Sequence, residues 1–179
     1  MRHQAHHLEV TTTELPAPRL EIREIDGSRF ALVWPIFHAV VAAGDTYAYD
    51  PAMTFEEARD LWTRPPARCF AARRDEVVVG AYCLRPNQPG LGDHVANAGY
   101  MVAEDARGQG IASAMCAHSL EVARAAGFRA MQFNFVATTN EGAIRLWQRH
   151  GFAIVGRVPA AFRHRRRGPT DVLVMHRLL

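Results

Sequence analysis

Residues 100–112 read YMVAEDARGQGIA and carry the strongest structural signal in the chain. An apolar strand leads into a short acidic loop, which turns at residues 107–110 (Arg-Gly-Gln-Gly) directly into a helix. Because glycine adopts left-handed backbone angles without strain, Gly108 and Gly110 allow consecutive N–H groups to point into one concavity. The helix N-terminus adds partial positive charge there, and Arg107 adds a full charge. The segment therefore predicts a turn that binds a pyrophosphate.

Two other interpretations of this turn compete with that one. The dinucleotide-binding fingerprint Gly-x-Gly-x-x-Gly has its third glycine where this chain has Ser113, and it needs an acidic residue after the next strand. The strand that follows, residues 130–136, carries no acidic residue, so a nicotinamide or flavin cofactor is not predicted. The remaining alternative is a glycine-rich turn that binds no ligand.

The composition excludes several classes of enzyme. Lys and Arg together number 21 in the 179 residues, and every one of them is arginine. A Walker A phosphate loop requires lysine, as does Schiff-base or pyridoxal chemistry, so the chain carries out neither. The net charge of +3 does not by itself require nucleic acid as a partner. Cys69, Cys83 and Cys116 show no CxxC spacing, which favours reduced core thiols over a disulfide framework or a metal site.

The chain is expected to be a cytoplasmic protein of one domain. Its sequence contains no run near the ~18 consecutive apolar residues of a membrane helix. The polar, His-rich residues 1–10 do not resemble a signal peptide. Residues 1–19 are predicted to form a flexible tail, and residues 20–179 to form the domain.

Periodicity predicts seven strands and four helices in one α/β domain. The strands are 20–25, 68–73, 77–84, 95–102, 130–136, 152–158 and 171–178. The helices run from a Ser28 cap to Gly44, from a Thr54 cap to Pro65, from Gly110 to Gly127, and from Asn140 to His150. An arginine-rich loop is expected to separate the last two strands.

Two motifs, in this order along the chain, resemble the GNAT superfamily of acyl-CoA-dependent N-acyltransferases. The family's phosphate loop reads Gln/Arg-x-x-Gly-x-Gly/Ala, which Arg107-x-x-Gly110-x-Ala112 matches. Its second motif is matched by Asn140-x-x-Ala143, then Leu146-Trp147, with Gly151-Phe152 at the helix end. The resemblance covers about residues 20–178 and implies a single GNAT-type α/β domain. Such a domain has a mixed, mostly antiparallel sheet of about seven strands, with one splayed parallel pair and about four flanking helices.

The resemblance implies acetyl-CoA as the cofactor, with CoA as a product. The pantetheine arm would lie between the splayed strands 95–102 and 130–136. In the second strand (AMQFNFV) the apolar residues at 131, 133 and 135 alternate with Gln132 and Asn134, which fits a strand buried on one face and polar toward a cleft. The implied cofactor contacts are Met101, Val102, Ala103, Arg107, Gly108, Gln109, Gly110, Ile111, Ala112, Asn140 and Ala143.

Three asparagines and the loop GDTYAY (residues 44–49) are similar to one subgroup, the enzymes that N-acetylate L-azetidine-2-carboxylate and related proline analogues. The resemblance implies that Asn97 and Asn134 bind the acceptor's carboxylate and that Asn140 holds the acetyl end of acetyl-CoA. A side-chain amide donates two hydrogen bonds without changing its charge, which suits this task. Alternatives stay open: Asn140 as a plain helix N-cap, Asn134 as a partner of a nearby backbone group, and Asn97 as a bulge or turn residue.

Other residues are expected near the acceptor. Tyr47 and Tyr49 of the aromatic loop form part of its predicted wall, with a packed loop that touches no ligand as the alternative. Phe162 is included because the segment at 161–164 (AFRH) recurs in the same subgroup. The basic run at 163–167 is interpreted as a solvated loop, with attraction of the coenzyme's 3′-phosphate as the alternative.

The sequence offers no evident proton acceptor or proton donor for acetyl transfer. Acetyl transfer needs a deprotonated amine, hydrogen-bond donors for the oxyanion and a proton for the departing thiolate. Many family members have a Tyr as the acid where this chain has Trp147, whose indole N–H cannot serve as that proton donor. Neither central strand contains Asp or Glu, and Asp93 and His94 are interpreted as surface-loop residues. Catalysis is therefore expected to depend on positioning, desolvation and water.

The sequence thus predicts an acetyl-CoA-dependent N-acetyltransferase of a small amino acid, above all a cyclic imino acid such as L-azetidine-2-carboxylate or a hydroxyproline. Such an enzyme would detoxify or modify amino acids. One alternative is the same fold acting on another small amine, such as a phosphinothricin-like herbicide or an antibiotic. The other is a non-catalytic CoA-binding module. The expected partner is a small-molecule amine; a homodimer is left open, and no nucleic acid, membrane or metal is expected.

Overall fold

Seven strands form one sheet in the computed structural model, which describes residues 19–179 and so leaves the tail expected at 1–19 outside it, apart from Arg19. The strands are β1 (Leu20–Ile25), β2 (Arg68–Arg74), β3 (Val77–Pro86), β4 (Val95–Val102), β5 (Ala130–Ala137), β6 (Ala153–His164) and β7 (Gly168–Leu178). Their order across the sheet is β1-β2-β3-β4-β5-β7-β6. All neighbours are antiparallel except β4 and β5. The predicted mixed sheet with one parallel pair is confirmed.

Four α-helices pack on the two faces of this sheet. They are α1 (Trp34–Ala43), α2 (Phe55–Thr63), α3 (Ile111–Ala125) and α4 (Glu141–Arg149). α1 and α2 share one core, which includes Phe37 and Trp62. α3 and α4 cover the other face, around Met115 and Trp147. None of the helices in residues 19–179 is long and apolar enough to cross a membrane.

The first helical segment differs from its predicted form. The sequence predicts a continuous helix from a Ser28 cap, but a 3-10 turn at Gly27–Leu32 comes first and α1 begins only at Trp34. The cap of that turn is Asp26, whose carboxylate accepts from the Ser28 N–H at 2.9 Å. Pro35 explains the later start of α1, because proline has no N–H to bond into a preceding turn and suits the first turn of a helix.

The start of α2 is as predicted. Thr54 Oγ1 accepts from the Glu57 N–H at 3.2 Å, and a Glu57 carboxylate oxygen accepts from the Thr54 N–H at 2.8 Å. This reciprocal capping box fixes the beginning of the helix that carries Trp62 into the core.

The β6–β7 hairpin is longer than predicted. Only residues 165–167 connect the two strands, so the arginine-rich segment is the tip of a hairpin and not a long loop. The pairing slips between Val158 and Phe162. The Asp171 carboxylate holds this bulge by accepting from the Ala160 N–H at 2.8 Å. A bulge interrupts the period of two, and the sequence pattern therefore ends the strand too early.

A second bulge changes the face that Phe135 occupies. β5 pairs with β7 up to Phe133 and again from Val136, with a register shift between them. Phe133 stacks on Phe152, with ring centroids 4.2 Å apart, beneath α3 and α4. Phe135 packs against Phe162 in a separate cluster. The prediction that both aromatic rings lie on one face is wrong for Phe135, because an inserted residue reverses the alternation.

All three cysteines are buried and free, as the composition predicts. Cys69 and Cys83 lie opposite each other on β2 and β3. Burial raises the pKa of Cys83 and of Cys116 to about 12. Both side chains are therefore neutral thiols that behave as small apolar core groups.

The N-terminal half of α3 is held against the sheet through a glycine. A Cβ atom on Gly80 of β3 would stand 3.0 Å from the Met115 Cε and from the Met101 carbonyl oxygen, and 3.2 Å from a methyl carbon of Ile111. Ile111 and Met115 are both buried, so neither has space to move aside. This close contact fixes where α3 begins and where the turn before it lies.

Replacing Gly80 by alanine is expected to lower the free energy of unfolding by about 1–3 kcal/mol, because it overpacks this contact. Gly142→Ala is the matched control, since residue 142 lies in α4 with no atom within 4 Å of an added Cβ. Alanine there should stabilise the protein by about 0.5–1 kcal/mol. Urea unfolding measures both changes. A Gly80→Ala variant as stable as the parent protein would contradict this account of the α3–β3 contact.

Candidate functional site

The parallel strands β4 and β5 separate after two residue pairs. Their register contains only Val95 with Ala130 and Ala96 with Met131. Just beyond these pairs, the Asn97 side-chain amide donates to the Gln132 carbonyl oxygen at 2.9 Å and bridges the strands where they diverge. The splay that the resemblance implies is therefore present.

A cavity of about 670 Å³ lies at this gap and is lined from both faces of the sheet. One part, which we call the α4 compartment, is lined by Phe133, Asn140, Ala143 and Trp147. The other, the α2 compartment, is lined by Tyr47, Trp62, Cys83, Arg85 and Asn97. Phe133 and Trp147 belong to the core beneath α3 and α4, whereas Trp62 and Cys83 belong to the core beneath α1 and α2. A ligand on one face of the sheet can therefore meet a ligand on the other through the gap.

The turn before α3 has the geometry of an anion site. Gly108 and Gly110 have φ angles of 72° and 78°, and a Cβ atom built on either meets nothing within 4 Å. The first backbone bond of α3 runs from the Ala114 N–H to the Gly110 carbonyl oxygen at 3.0 Å, so the helix does not use the N–H groups before it. Arg107 lines the cavity beside them. Residues 107–112 therefore form an open, positively charged concavity, as the glycine pattern predicts.

The predicted cofactor contacts fall into three sets. Met101, Val102, Arg107, Asn140 and Ala143 line the cavity. Gly108, Gln109, Gly110, Ile111 and Ala112 lie outside that lining, on the turn that continues from Arg107. Ala103 lines an adjoining cavity of about 600 Å³, and its N–H already donates to the Val79 carbonyl oxygen at 2.9 Å. The Ala103 amide is thus bonded within the sheet.

Asn140 is the N-cap of α4. Its Oδ1 accepts from the Ala143 N–H at 3.3 Å, so the capping role that the sequence leaves open is present. Capping uses only the oxygen. Within residues 19–179 the Asn140 amide nitrogen donates no hydrogen bond, and the residue lines the α4 compartment.

Asn97 and Asn134 both line the cavity, on neighbouring strands. Asn97 donates to the Gln132 carbonyl oxygen, and Asn134 donates to Asn87 Oδ1 at 2.6 Å. The Asn134 oxygen also accepts from the Gln132 side chain at 2.9 Å. Both asparagines therefore have a structural role, and each keeps one amide hydrogen that these bonds do not use.

Tyr47 and Tyr49, which are predicted to form part of the acceptor's wall, both line the cavity, with ring centroids 5.3 Å apart. The Tyr47 hydroxyl donates to the Tyr100 carbonyl oxygen at 2.8 Å. This hydroxyl lies 3.0 Å from the place where a Cβ of residue 99 would be, so only glycine leaves room for it there. Burial raises the pKa of Tyr47 far above its usual value, and the group remains a protonated donor.

Phe162 is the predicted acceptor residue that the structure does not bring to the cavity. Its side chain is buried, and its ring packs edge-on against Phe135 with centroids 5.6 Å apart. The bulge that ends at Phe162 determines which face of β6 it occupies. The neighbouring His164 lines the cavity in its place.

The arginines of the hairpin tip are exposed to solvent, as the sequence suggests, and the tip is in addition bonded to the end of α1. The Arg165 N–H donates to the Gly44 carbonyl oxygen at 2.9 Å, and its guanidinium donates to the Ala42 carbonyl oxygen at 2.6 Å. The Arg166 guanidinium lies 3.8 Å from the Asp45 carboxylate. The hairpin therefore closes one side of the cavity over the end of α1.

His164 is held in one tautomer by this tip. Its Nδ1 accepts from the backbone N–H groups of Arg166 and Arg167, both at 3.2 Å. A ring nitrogen that accepts carries no proton, so the neutral ring has its proton on Nε2. His164 is therefore a hydrogen-bond donor at the cavity wall and not a base at Nδ1.

No carboxylate stands free in the described lining of the cavity. Asp45 is the carboxylate found there, and it faces Arg166. Asp93 and His94 do not belong to the lining. Trp147 does, and it packs against Tyr100 with ring centroids 4.9 Å apart. The described part of the site holds hydrogen-bond donors and arginines, and it supplies position more readily than proton transfer.

Sequence reasoning misses many residues of this lining, and two of them, Arg85 and Thr139, are polar groups in its wall. Arg85 belongs to no recognised motif. It lies two residues after Cys83 on β3, and this spacing indicates that both side chains lie on the same face of the sheet. Thr139 precedes the Asn140 cap, and its buried hydroxyl has no partner within residues 19–179. Nothing local in the sequence distinguishes this threonine from an ordinary loop residue.

Comparison with known proteins identifies the family. Residues 31–152 match the acetyltransferase (GNAT) family. The chain is 32% identical over 139 residues to the N-acetyltransferase aca1 of Schizosaccharomyces pombe, a match that covers 69% of this chain and 66% of that protein, just under two thirds of its length.

Solved structures of acetyltransferases have a fold similar to that of this chain. A GCN5-related N-acetyltransferase from Kribbella flavida superposes with a TM-score of 0.84 at 44% identity, over 89% of this chain and 98% of that chain. A phosphinothricin acetyltransferase from Sinorhizobium meliloti was solved in complex with acetyl-CoA. It superposes with a TM-score of 0.80 at 19% identity, over 89% of this chain and 88% of that chain. This likeness concerns the fold alone. The splayed strands, the open turn and these matches together establish that the chain belongs to the acetyltransferase (GNAT) family, as its two motifs predict.

Proposed function

We propose that this protein is an acetyl-CoA-dependent N-acetyltransferase of a small amino acid, above all a cyclic imino acid such as L-azetidine-2-carboxylate or a hydroxyproline. Family membership supports the reaction class. The observation that carries the proposal is the cavity through the gap between β4 and β5, with an open anion-binding turn near one compartment and side-chain amides around the other.

The chain's residues fit acetyl-CoA. The unused N–H groups at the start of α3 and the Arg107 guanidinium suit the diphosphate. The unpaired edges of β4 and β5 suit the amide groups of an extended pantetheine arm. When bound, acetyl-CoA supplies the activated acetyl thioester. The protein's part is to direct this group toward the α2 compartment.

The α2 compartment suits a small, compact acceptor. Tyr47, Trp62 and Cys83 give it largely apolar walls, and the amide of Asn97 gives it a neutral donor, with Asn134 elsewhere in the same cavity lining. A four- or five-membered imino acid combines a short apolar ring with one carboxylate, which matches this mixture. Neutral amides bind a carboxylate without the cost of burying a second charge.

Asn140 is the residue proposed to act beside the reacting group. Its oxygen is committed to the cap, and its amide nitrogen is available to donate to the thioester oxygen or to the departing sulfur. The described cavity lining contains no free carboxylate. The acceptor's proton is therefore proposed to leave to water, while the walls hold the amine in position and exclude competing nucleophiles.

Asn140→Ser separates the two roles of this residue. Serine is a good N-cap, so the free energy of unfolding should change by less than about 0.5 kcal/mol, but the amide donors are lost. We expect kcat to fall at least about tenfold with little change in the Kd of acetyl-CoA, as for loss of one transition-state donor. Asn140→Ala should lose similar activity and about 1 kcal/mol of stability. Full activity in the serine variant would mean that Asn140 is only a cap.

The acceptor assignment is tested by CoA release. With acetyl-CoA and L-azetidine-2-carboxylate, free thiol should accumulate, and it should not when the imino acid is omitted. The measurement is a thiol-reactive dye assay with mass-spectrometric detection of the N-acetyl product. Turnover of primary amines alone would favour another small-amine acceptor. Stabilisation by CoA with no turnover on a broad amine panel would favour a non-catalytic CoA-binding module.

A further inference from the structure

Arg85 is a cation in the cavity wall that no acid in the described structure neutralises. It lies on β3, is half-buried and lines the α2 compartment. Among residues 19–179 it takes part in no ion pair, although most of the ion pairs there involve arginine side chains on the surface. Its one hydrogen bond is long, from the guanidinium to the Leu61 carbonyl oxygen at 3.5 Å. The guanidinium thus has most of its five donors uncommitted.

The surroundings of Arg85 are poor in compensating groups. Trp62 is fully buried, and its indole N–H has no partner within residues 19–179. Cys83 is buried as well, and Tyr47 is partly buried. The positive charge of Arg85 lowers the pKa of both groups and so opposes the rise in pKa that desolvation causes. A half-buried guanidinium in such a setting favours an anion more strongly than it would on the surface.

The position of Arg85 ties it to the acceptor compartment and not to the turn before α3. Its partner in the β3–β4 register is Asn97, and directly opposite residues on neighbouring strands extend their side chains on the same face, about 5 Å apart. The other arginines of the lining lie elsewhere. Arg107 adjoins the turn, and Arg166 and Arg167 belong to the hairpin tip.

The asparagines cannot supply the charge that Arg85 supplies. The Asn97 amide already bridges to the Gln132 carbonyl oxygen, and the Asn134 amide is bonded to Asn87. Each offers one remaining neutral donor. A guanidinium offers two parallel N–H donors to the two oxygens of a carboxylate, which adds direction as well as charge.

We propose that Arg85 binds the acceptor's carboxylate, with Asn97 beside it, and that this contact makes the enzyme select amino and imino acids over amines that lack a carboxylate. The inference rests on the proposed acetyl transfer and names a specificity residue for it. A carboxylate on Arg85 leaves the amine, two bonds away, over β4 at the edge of the gap. The amine then faces the direction from which the thioester arrives.

Kinetics with two acceptors test this selectivity. The acceptors are L-azetidine-2-carboxylate and its uncharged carboxamide, each assayed with the parent protein, Arg85→Gln and Arg85→Lys. Arg85→Gln should raise KM for the acid at least about tenfold, leave kcat within about twofold, and leave KM for the carboxamide unchanged. Arg85→Lys should raise KM for the acid less than Arg85→Gln does, because lysine keeps the positive charge but lacks the two parallel N–H donors of the guanidinium. Arg23→Gln, an exposed arginine on β1, is the matched control and should behave as the parent.

Binding measurements separate failure of this inference from failure of the proposed function. Calorimetry of the acid with CoA-saturated protein needs no turnover. If the parent binds the acid at least about tenfold more tightly than Arg85→Gln does but releases no thiol from acetyl-CoA, the transferase proposal fails and the Arg85 site stands. If Arg85→Gln weakens the acid and the carboxamide equally, or weakens neither, the Arg85 site is refuted whatever the activity. If the parent neither binds nor acetylates the acid, both are refuted.

Discussion

A pair of parallel strands that part after two residue pairs is the constraint on which this protein depends. Beyond Ala96 and Met131, β4 and β5 no longer bond to each other, and backbone groups along both edges face a gap. Unpaired backbone groups inside a sheet are costly unless a ligand or water bonds them. Such a gap suits an extended ligand with its own amides, and we propose that this ligand is the pantetheine arm of acetyl-CoA, the cofactor that membership of the family supports.

Side chains hold the gap open and remain available to ligands. Asn97 bridges the point of divergence, and Tyr47 reaches the Tyr100 carbonyl oxygen through the space left by Gly99. These contacts use neutral groups, because an unpaired carboxylate at the same place would bear a large desolvation cost. One consequence is that Arg85, at the cavity wall, forms no ion pair in the described structure. It can therefore form one with the carboxylate of an acceptor.

The features that the sequence predicts correctly are local. The turn at 107–112 depends on glycine angles and has the expected geometry. The helix predicted to begin at Asn140 depends on side chains within a few residues, and Asn140 caps it, which is one of the two roles that the sequence leaves open. The failures lie where distant pairing intervenes. Bulges in β5 and β6 change the faces of Phe135 and Phe162, and nothing in the alternation of either strand reveals them. Arg85 is missed for a related reason: its lack of an acid partner depends on what the fold brings near it.

Binding of acetyl-CoA to two glycine variants tests the central claim, that the turn before α3 holds the diphosphate. Gly110 and Gly127 both have positive φ and open space around an added Cβ, but only Gly110 lies at the start of α3, whereas Gly127 follows its end. Alanine therefore introduces the same backbone strain at both, about 1 kcal/mol. Titration calorimetry should give a Kd at least about tenfold weaker for Gly110→Ala and unchanged for Gly127→Ala. Equal affinities for the two variants, or no binding by the parent protein, would contradict the account.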